Sequence, residues 1–252
     1  MRNLRLLLEY DGSAYAGWQV QPNRPTVQGA LQAALERLTG APVRVGGAAR
    51  TDAGVHAAGQ VTTFTTESPH TCATFHRALN ALLPRDIVVR EVAEVPLTFD
   101  ARRSATGKTY RYTLLVRADP SPFHRSWTLH VPPPLDVAAM GKAAEALLGR
   151  HDFSAFRSSS CEAPHPVRTV WEARFLEDPP FWHFRISAEA FLQHMIRTIV
   201  GTLLQVGRRR RPPEEVAALL ASRNRARAGP TAPPHGLCLE KVHYGERGQD
   251  AA

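Results

Sequence analysis

Hydrophobic positions along this chain follow two spacings, one suited to strands and one to helices, and the same order of elements occurs twice. The run from Leu4 to Tyr10 reads as a strand, closed by the turn residues Asp11-Gly12. Thr26 then caps a helix whose Val27, Leu31, Leu35 and Leu38 share one face, with Gly40 as its stop. Short β-type runs at Pro42 to Gly46 and Gln60 to Thr66 flank a loop of small residues. A helix near Thr71 to Leu82 and a strand at Asp86 to Val95 follow. The order is βαββαβ.

After the polar stretch Pro96 to Gly107, a candidate linker, Lys108 to Val116 alternates as a strand. Asp136 caps a helix with Val137, Met140, Ala144 and Leu147 on one face and Gly149 as its stop. Val167 to Leu176 and Phe181 to Ala188 form a hairpin around Asp178-Pro179-Pro180. A long helix runs from Phe191 to Val206, an extra one lies near Pro213 to Ser222, and a last strand fits Leu237 to Tyr244. The pattern predicts an α+β chain of two similar βαββαβ halves, of the RRM or ferredoxin-like kind, with helices on one sheet face. The expected division is 1–104 and 105–252. Such halves serve RNA-binding modules and small enzymes alike, so the fold does not choose between them.

Composition narrows the choice. Lys and Arg number 31 against 23 Asp and Glu, a net charge of +8 with a pI near 10.0, which suits a polyanionic partner such as nucleic acid. Arg far outnumbers Lys, fitting bidentate phosphate contacts, although a GC-rich genome produces the same bias. Cys72, Cys161 and Cys238 are odd in number and far apart, which argues against a disulfide framework and a zinc site and favours a reducing cytoplasm. No apolar run is long enough to cross a bilayer, and no export signal opens the chain. Walker A, HExxH and helix-opening GxGxxG sequences are all absent.

The strongest chemical signal is Ala49-Arg50-Thr51-Asp52-Ala53-Gly54-Val55-His56-Ala57. One carboxylate sits among small, turn-forming residues, with a cation two positions before it and an imidazole four after. Asp52 has no second carboxylate within eight residues on either side, so paired-acid glycosidase chemistry has no local support. The helix from Phe191 to Val206 is apolar over most of its circumference, and its narrow polar stripe carries His194, Arg197, Thr198 and Gly201. An arginine there needs a partner. A structural ion pair, snorkelling to solvent, and pairing with Asp52 all fit the pattern. Tyr110 and Tyr112, two apart on one strand, read first as a packed sheet face and second as a stacking surface for bases. Arg208 to Arg211 reads as a solvated run at a helix C-terminus, with phosphate contact as an added role.

Several segments in sequence order resemble the bacterial tRNA pseudouridine synthase A family. They are Tyr10-Asp11-Gly12 with Gly17-Trp18-Gln19, Thr26 to Gly29, Arg50 to Ala57, Phe99 to Arg102, Lys108 to Tyr112, His151-Asp152-Phe153 with Phe156, Phe191 to Gly201, and Ala232 to Leu239. The resemblance spans nearly the whole chain. Departures are Asp100, where the family often has His, Arg103, where it has an apolar residue, and Cys238, where an aromatic is common.

The resemblance implies a pseudouridine synthase fold with a central mixed, mainly antiparallel sheet. It implies isomerisation of uridine to pseudouridine at positions 38, 39 and 40 of the tRNA anticodon stem-loop, by a homodimer, without cofactor or metal. Asp52 then matches the nucleophile, attacking C1′ of the sugar or C6 of the base, or taking a proton from C2′; the sequence leaves these routes open. Tyr110 matches the tyrosine that stacks on the uracil and is a candidate base for the C5 proton, which reverses the packing preference above. Arg197 matches the basic residue paired with the catalytic aspartate. Arg50 and His56 are expected to hold RNA or brace the loop, and Leu237 to line the uracil pocket. The rival readings are a non-catalytic tRNA-binding module, which has no need of Asp52 and Arg197 together, and a small-molecule α+β enzyme.

Overall fold

The computed structural model describes residues Met1 to Gly245. Strand β1 (Arg2–Tyr10) buries Leu4, Leu6, Leu8 and Tyr10 on one side, while Arg5, Leu7 and Glu9 on the other are more exposed, the two-residue period of a pleated strand. Helix α1 (Val27–Thr39) begins where Thr26, in extended backbone, accepts the Gly29 N–H on its side chain, and it closes at Gly40. Strand β2 (Gly46–Gly47) is short, and β3 (His56–Thr66) is long. Thr71 caps α2 (Cys72–Leu82), and β4 (Ile87–Val95) completes the first series.

The second series contains β5 (Ala105–Val116), β6 (Leu129–Val131), α3 (Val137–Glu145), β7 (Gly149–Asp152), β8 (Val167–Asp178), β9 (Phe181–Ala188), α4 (Met195–Gly207) and α5 (Glu215–Ser222). Strand β10 (Leu237–Tyr244) comes last. The described residues divide into two compact units, Met1–Thr106 with 238–245, and Gly107–Leu237.

In the first unit β1 lies between β3 and β4, antiparallel to both. Strand β10 runs parallel to β3, with Cys238 opposite His56 and Leu239 opposite Ala57. Helix α2 packs on β4 and α1 on α2, and the ring of Phe75 meets Phe64 edge-on at 5.6 Å. In the second unit β5, β9, β8 and β7 form an antiparallel array, with β6 parallel to β5. Helix α3 packs on β8, α4 and α5. The sheets are thus mixed and mainly antiparallel, as expected.

Four differences from the sequence pattern have physical causes. Pro42 to Val45 is no strand. Pro42 lacks an N–H for a ladder, and the carbonyls of Val43 and Val45 accept instead from the side-chain amides of Gln32 and Gln28 on α1. Helix α4 begins at Met195 rather than Phe191, because His194 takes a left-handed φ of 62° immediately before it; burial of Leu192 extends the apolar pattern beyond the helix itself. Helix α3 ends at Glu145, and Gly149, expected as its stop, opens β7. The final strand keeps its expected range, Leu237–Tyr244, but pairs with β3, a neighbour the sequence did not name, since alternation marks a strand and not its partner.

Gly201 explains how α4 is held. A Cβ there would overlap the carbonyl oxygen of Pro230, so the segment 229–232 lies directly on the helix backbone. Gly229 N–H donates to Thr202 Oγ1 at 2.9 Å, and Ala232 N–H to the Arg197 carbonyl at 3.0 Å. In an open helix, glycine to alanine stabilises by roughly 1 kcal/mol. Here we expect Gly201→Ala to destabilise by about 2 kcal/mol or more through overpacking, measured by urea denaturation; a stabilised variant would show that the segment is not seated on α4.

Candidate active site

The loop carrying Asp52 is built from the first unit alone. At its entrance, Gln60 of β3 is wholly buried and holds Ala49 by both ends: its amide donates to the Ala49 carbonyl at 2.7 Å, and its Oε1 accepts the Ala49 N–H at 3.1 Å. The next buried anchor is Thr51, whose hydroxyl lies 2.8 Å from the Tyr10 hydroxyl and whose carbonyl accepts the Trp18 N–H at 3.0 Å. Tyr10 and Trp18 stack, with centroids 6.3 Å apart. Burial pushes the Tyr10 hydroxyl well above the usual phenol range, with the Thr51 and Gln60 hydrogen bonds working against it, so it stays protonated.

Beyond Asp52 the chain turns at once. Val55 N–H donates to the Asp52 carbonyl at 3.1 Å, and Gly54 takes φ 76°, the third turn position that favours glycine. Gly54 N–H donates to Tyr15 O at 3.3 Å. Gly12 presses on the same turn, for a Cβ there would overlap the Val55 carbonyl oxygen. Tyr15 donates its hydroxyl to Asp86 Oδ1 at 2.6 Å, tying the 11–18 segment back to the start of β4. Burial and the Asp86 carboxylate raise the Tyr15 hydroxyl above its ordinary range.

His56 is buried where β3 begins, its Nδ1 3.1 Å from both the Gly12 amide nitrogen and Asp11 Oδ1. One ring nitrogen cannot accept from the amide and donate to the carboxylate at once, so which contact is a hydrogen bond depends on where the ring proton sits. For Asp11, burial works upward, but hydrogen bonds from Ser13 and the nearby His56 outweigh it and hold the carboxyl below its usual range. Arg50 is exposed, and Asp52 is half-buried between fixed neighbours.

The second unit positions the remaining candidates. Tyr110 on β5 lies opposite Ile186 of β9, 7% exposed, its ring edge-on to Phe191 at 5.2 Å and 83°. Tyr112 is fully buried and donates its hydroxyl to the Pro233 carbonyl at 2.8 Å. Burial raises that hydroxyl, and the charge of Arg197 pulls the other way. Arg197 sits in the first turn of α4, half-buried, with Nε donating to the Ala232 carbonyl at 2.8 Å. Its backbone carbonyl also binds Ala232, so the residue is fixed at both main chain and side chain. Leu237 is buried at the start of β10.

Sequence reasoning did not single out Tyr10, Tyr15, Thr51 or Gln60 as supports of the site. Tyr10 bonds across 41 positions and Tyr15 across 71, distances over which no local pattern speaks. Among the described residues, no three His, Cys, Asp or Glu side chains come together as a metal-binding group, and no helix is long and apolar enough to cross a membrane.

An aspartate on a loop whose polar atoms are anchored by buried side chains fits an enzyme with a preorganised acid site. Comparison with known proteins gives the family. The profile described as tRNA pseudouridine synthase matches residues 7–102 and 143–245. A tRNA pseudouridine synthase A of Myxococcus xanthus is 50% identical over 246 residues, covering 97% of this chain and 92% of the relative. One from Moorella thermoacetica is 49% identical over 243 residues, covering 96% and 99%, and one from Geobacter sp. strain M21 is 46% identical over 247 residues, covering 98% and 100%. The chain belongs to the tRNA pseudouridine synthase family.

The contact between Gly12 and the Asp52 turn leaves no room for a methyl group. Gly12→Ala is expected to displace the loop and lower turnover by about 100-fold, the scale on which an ångström of misplacement acts, while far-UV circular dichroism stays near wild type. Wild-type turnover in this variant would show that the close packing does not position Asp52.

Proposed function

We propose that the protein isomerises uridine to pseudouridine at positions 38, 39 and 40 of the tRNA anticodon stem-loop. The observation that carries the reading is the Arg50-Thr51-Asp52 loop, braced on both sides, in a chain matched over nearly its full length by relatives named tRNA pseudouridine synthase A. The reaction needs no outside oxidant or reductant. The bond from C1′ to N1 breaks, the uracil turns, and C5 joins C1′; C5 gives up its proton and N1 gains one.

Asp52 is the nucleophile in this scheme. Attack at C1′, addition at C6 and removal of a C2′ proton all require an ionised carboxylate beneath the base. The guanidinium of Arg197, paired with Asp52, favours the ionised carboxylate when a flipped base covers it. The reading is supported by the way Arg197 is tethered to Ala232 in an otherwise apolar helix. Tyr110, backed edge-on by Phe191, stacks on the target uracil and takes the C5 proton in this scheme. Arg50 contacts RNA phosphates from the exposed loop. His56 braces the loop from within, and Leu237 lines the uracil pocket.

The enzyme acts as a homodimer, since one tRNA spanning two subunits suits a two-fold assembly. It works in the cytoplasm, a setting supported by three free cysteines. The partner is tRNA, and neither metal nor cofactor takes part.

Release of tritium from C5-labelled uridine in unmodified tRNA tests the assignment directly. Asp52→Asn should abolish release while tRNA affinity stays within a few-fold, because affinity comes from phosphates and the carboxylate acts on one nucleotide. Measurable turnover by that variant would remove Asp52 from its role, and no release by the intact protein would leave a non-catalytic tRNA-binding module. Tyr110→Phe keeps the stacking ring and removes the hydroxyl. It should bind tRNA normally and lose most turnover, and full activity would exclude Tyr110 as the proton acceptor.

A further inference from the structure

The turn after α4 bears three exposed arginines, Arg208, Arg209 and Arg210, on a backbone whose conformation is costly for them. Arg210 N–H donates to the Gln205 carbonyl at 2.9 Å and Arg209 N–H to the Val206 carbonyl at 2.8 Å, the paired bonds of a Schellman cap. Arg209 occupies the left-handed position of that cap, φ 56°, which glycine takes without strain. A side chain is therefore carried where the backbone favours none.

The surroundings point outward. Arg211, the fourth cation of the run, is used internally, binding Glu215 at 3.1 Å and the Arg227 carbonyl at 2.7 Å. The other three face solvent. Among the described residues one carboxylate is paired with them, Asp136, 3.8 Å from Arg209, and its other oxygen already caps α3 through the Ala139 N–H at 2.9 Å. Grooves of about 520 and 300 Å³ lie on either side of the turn, and Arg208 and Arg210 border both. Pro132 to Pro134 wall the first, and Pro230 and Pro233 the second. The arginines thus form a cationic ridge between two channels of rigid, donor-poor walls.

We infer that this ridge is a phosphate-binding site for tRNA, separate from the residues that act on the uridine. The inference rests on the tRNA-modifying function proposed above. Three guanidiniums facing one partly engaged carboxylate leave a net positive turn, and guanidinium forks match phosphodiester oxygens. Helix geometry sets the distance: Arg208 lies eleven residues beyond Arg197 on α4, roughly 16 Å at the rise of an α-helix. A stem whose loop meets Arg197 has its backbone within reach of the ridge. Cations also suit a helix C-terminus, but that effect is served by any residue with a positive charge and does not explain an arginine at the left-handed position.

The test separates binding from folding. Binding of an unmodified tRNA transcript is measured by fluorescence anisotropy across a salt series for wild type, Arg209→Gly, and the triple variant Arg208→Gln, Arg209→Gly, Arg210→Gln. The triple variant should bind roughly 10- to 100-fold more weakly at about 0.1 M salt, with a salt slope shallower by about two to three. Arg209→Gly alone should raise Tm by roughly 2–4 °C while weakening binding, opposite signs that a purely structural residue does not give. Unchanged affinity and slope in the triple variant would overturn the proposal, as would weaker binding with an unaltered slope. Pseudouridine formation by the wild-type protein is scored in parallel, so failure of the enzyme reading is seen apart from failure of the ridge.

Discussion

The site depends on a close approach of two backbones, the 11–18 segment and the 49–56 loop. Where Gly12 meets the Val55 carbonyl there is no space for a side chain, and contact that close leaves buried polar groups that water cannot serve. Each therefore needs a partner in the protein. Gln60 serves Ala49, Tyr10 serves Thr51, and the backbones of Trp18 and Tyr15 complete the set. A satisfied buried bond contributes only about 1 kcal/mol net, but an orphaned partner costs about 1–3. Any displacement that broke several of them would therefore be steeply unfavourable. Rigidity at Asp52 is a consequence of that accounting.

Such rigidity suits the role proposed for Asp52. An acid that stabilises or attacks a reacting centre is effective in proportion to how little it must reorganise. Most residues that fix the Asp52 loop are neutral, two tyrosines, a threonine and a glutamine, which hold it by hydrogen bonds. Tyr10 is the extreme case, buried so far that its hydroxyl remains a hydrogen-bonding group rather than an acid. Charge control is left to the proposed pairing with Arg197, whose guanidinium is aimed by the Ala232 carbonyl.

Much of the fold was legible because caps and periods are local. Thr26, Thr71 and Asp136 each accept an N–H three residues on, and the apolar faces behind them are buried. What could not be read depends on distant chain. Whether Pro42 to Val45 becomes a strand is decided by glutamines on α1, and β10 gives no hint in its own alternation that β3 is its neighbour. At the site the same rule holds. Asp52 and Arg197 stood out because each is a charge in the wrong company, one among turn residues and one in an apolar helix. Tyr110 did not, since a buried aromatic on a strand is ordinary, and only the family resemblance gave it a role. Gln60 was invisible because burial of an amide is unremarkable until its partner is known.

Helix α4 joins the two kinds of work. Its first turn holds Arg197 against Ala232, and its last turn projects the arginine ridge. Contacts to phosphates are made equally in the bound substrate and in the transition state, so they favour binding without accelerating the step. Groups beside the uracil act on a charge that exists only as the glycosidic bond breaks. Placing these groups at opposite ends of one rigid element lets the phosphate contacts fix the register of the RNA relative to the reacting residue, as backbone contacts do in nucleic-acid recognition generally. Neighbouring uridines then present nearly the same backbone geometry to the ridge. An enzyme that modifies several adjacent positions needs such a contact, one that reads the spacing of phosphates and is indifferent to which base they carry.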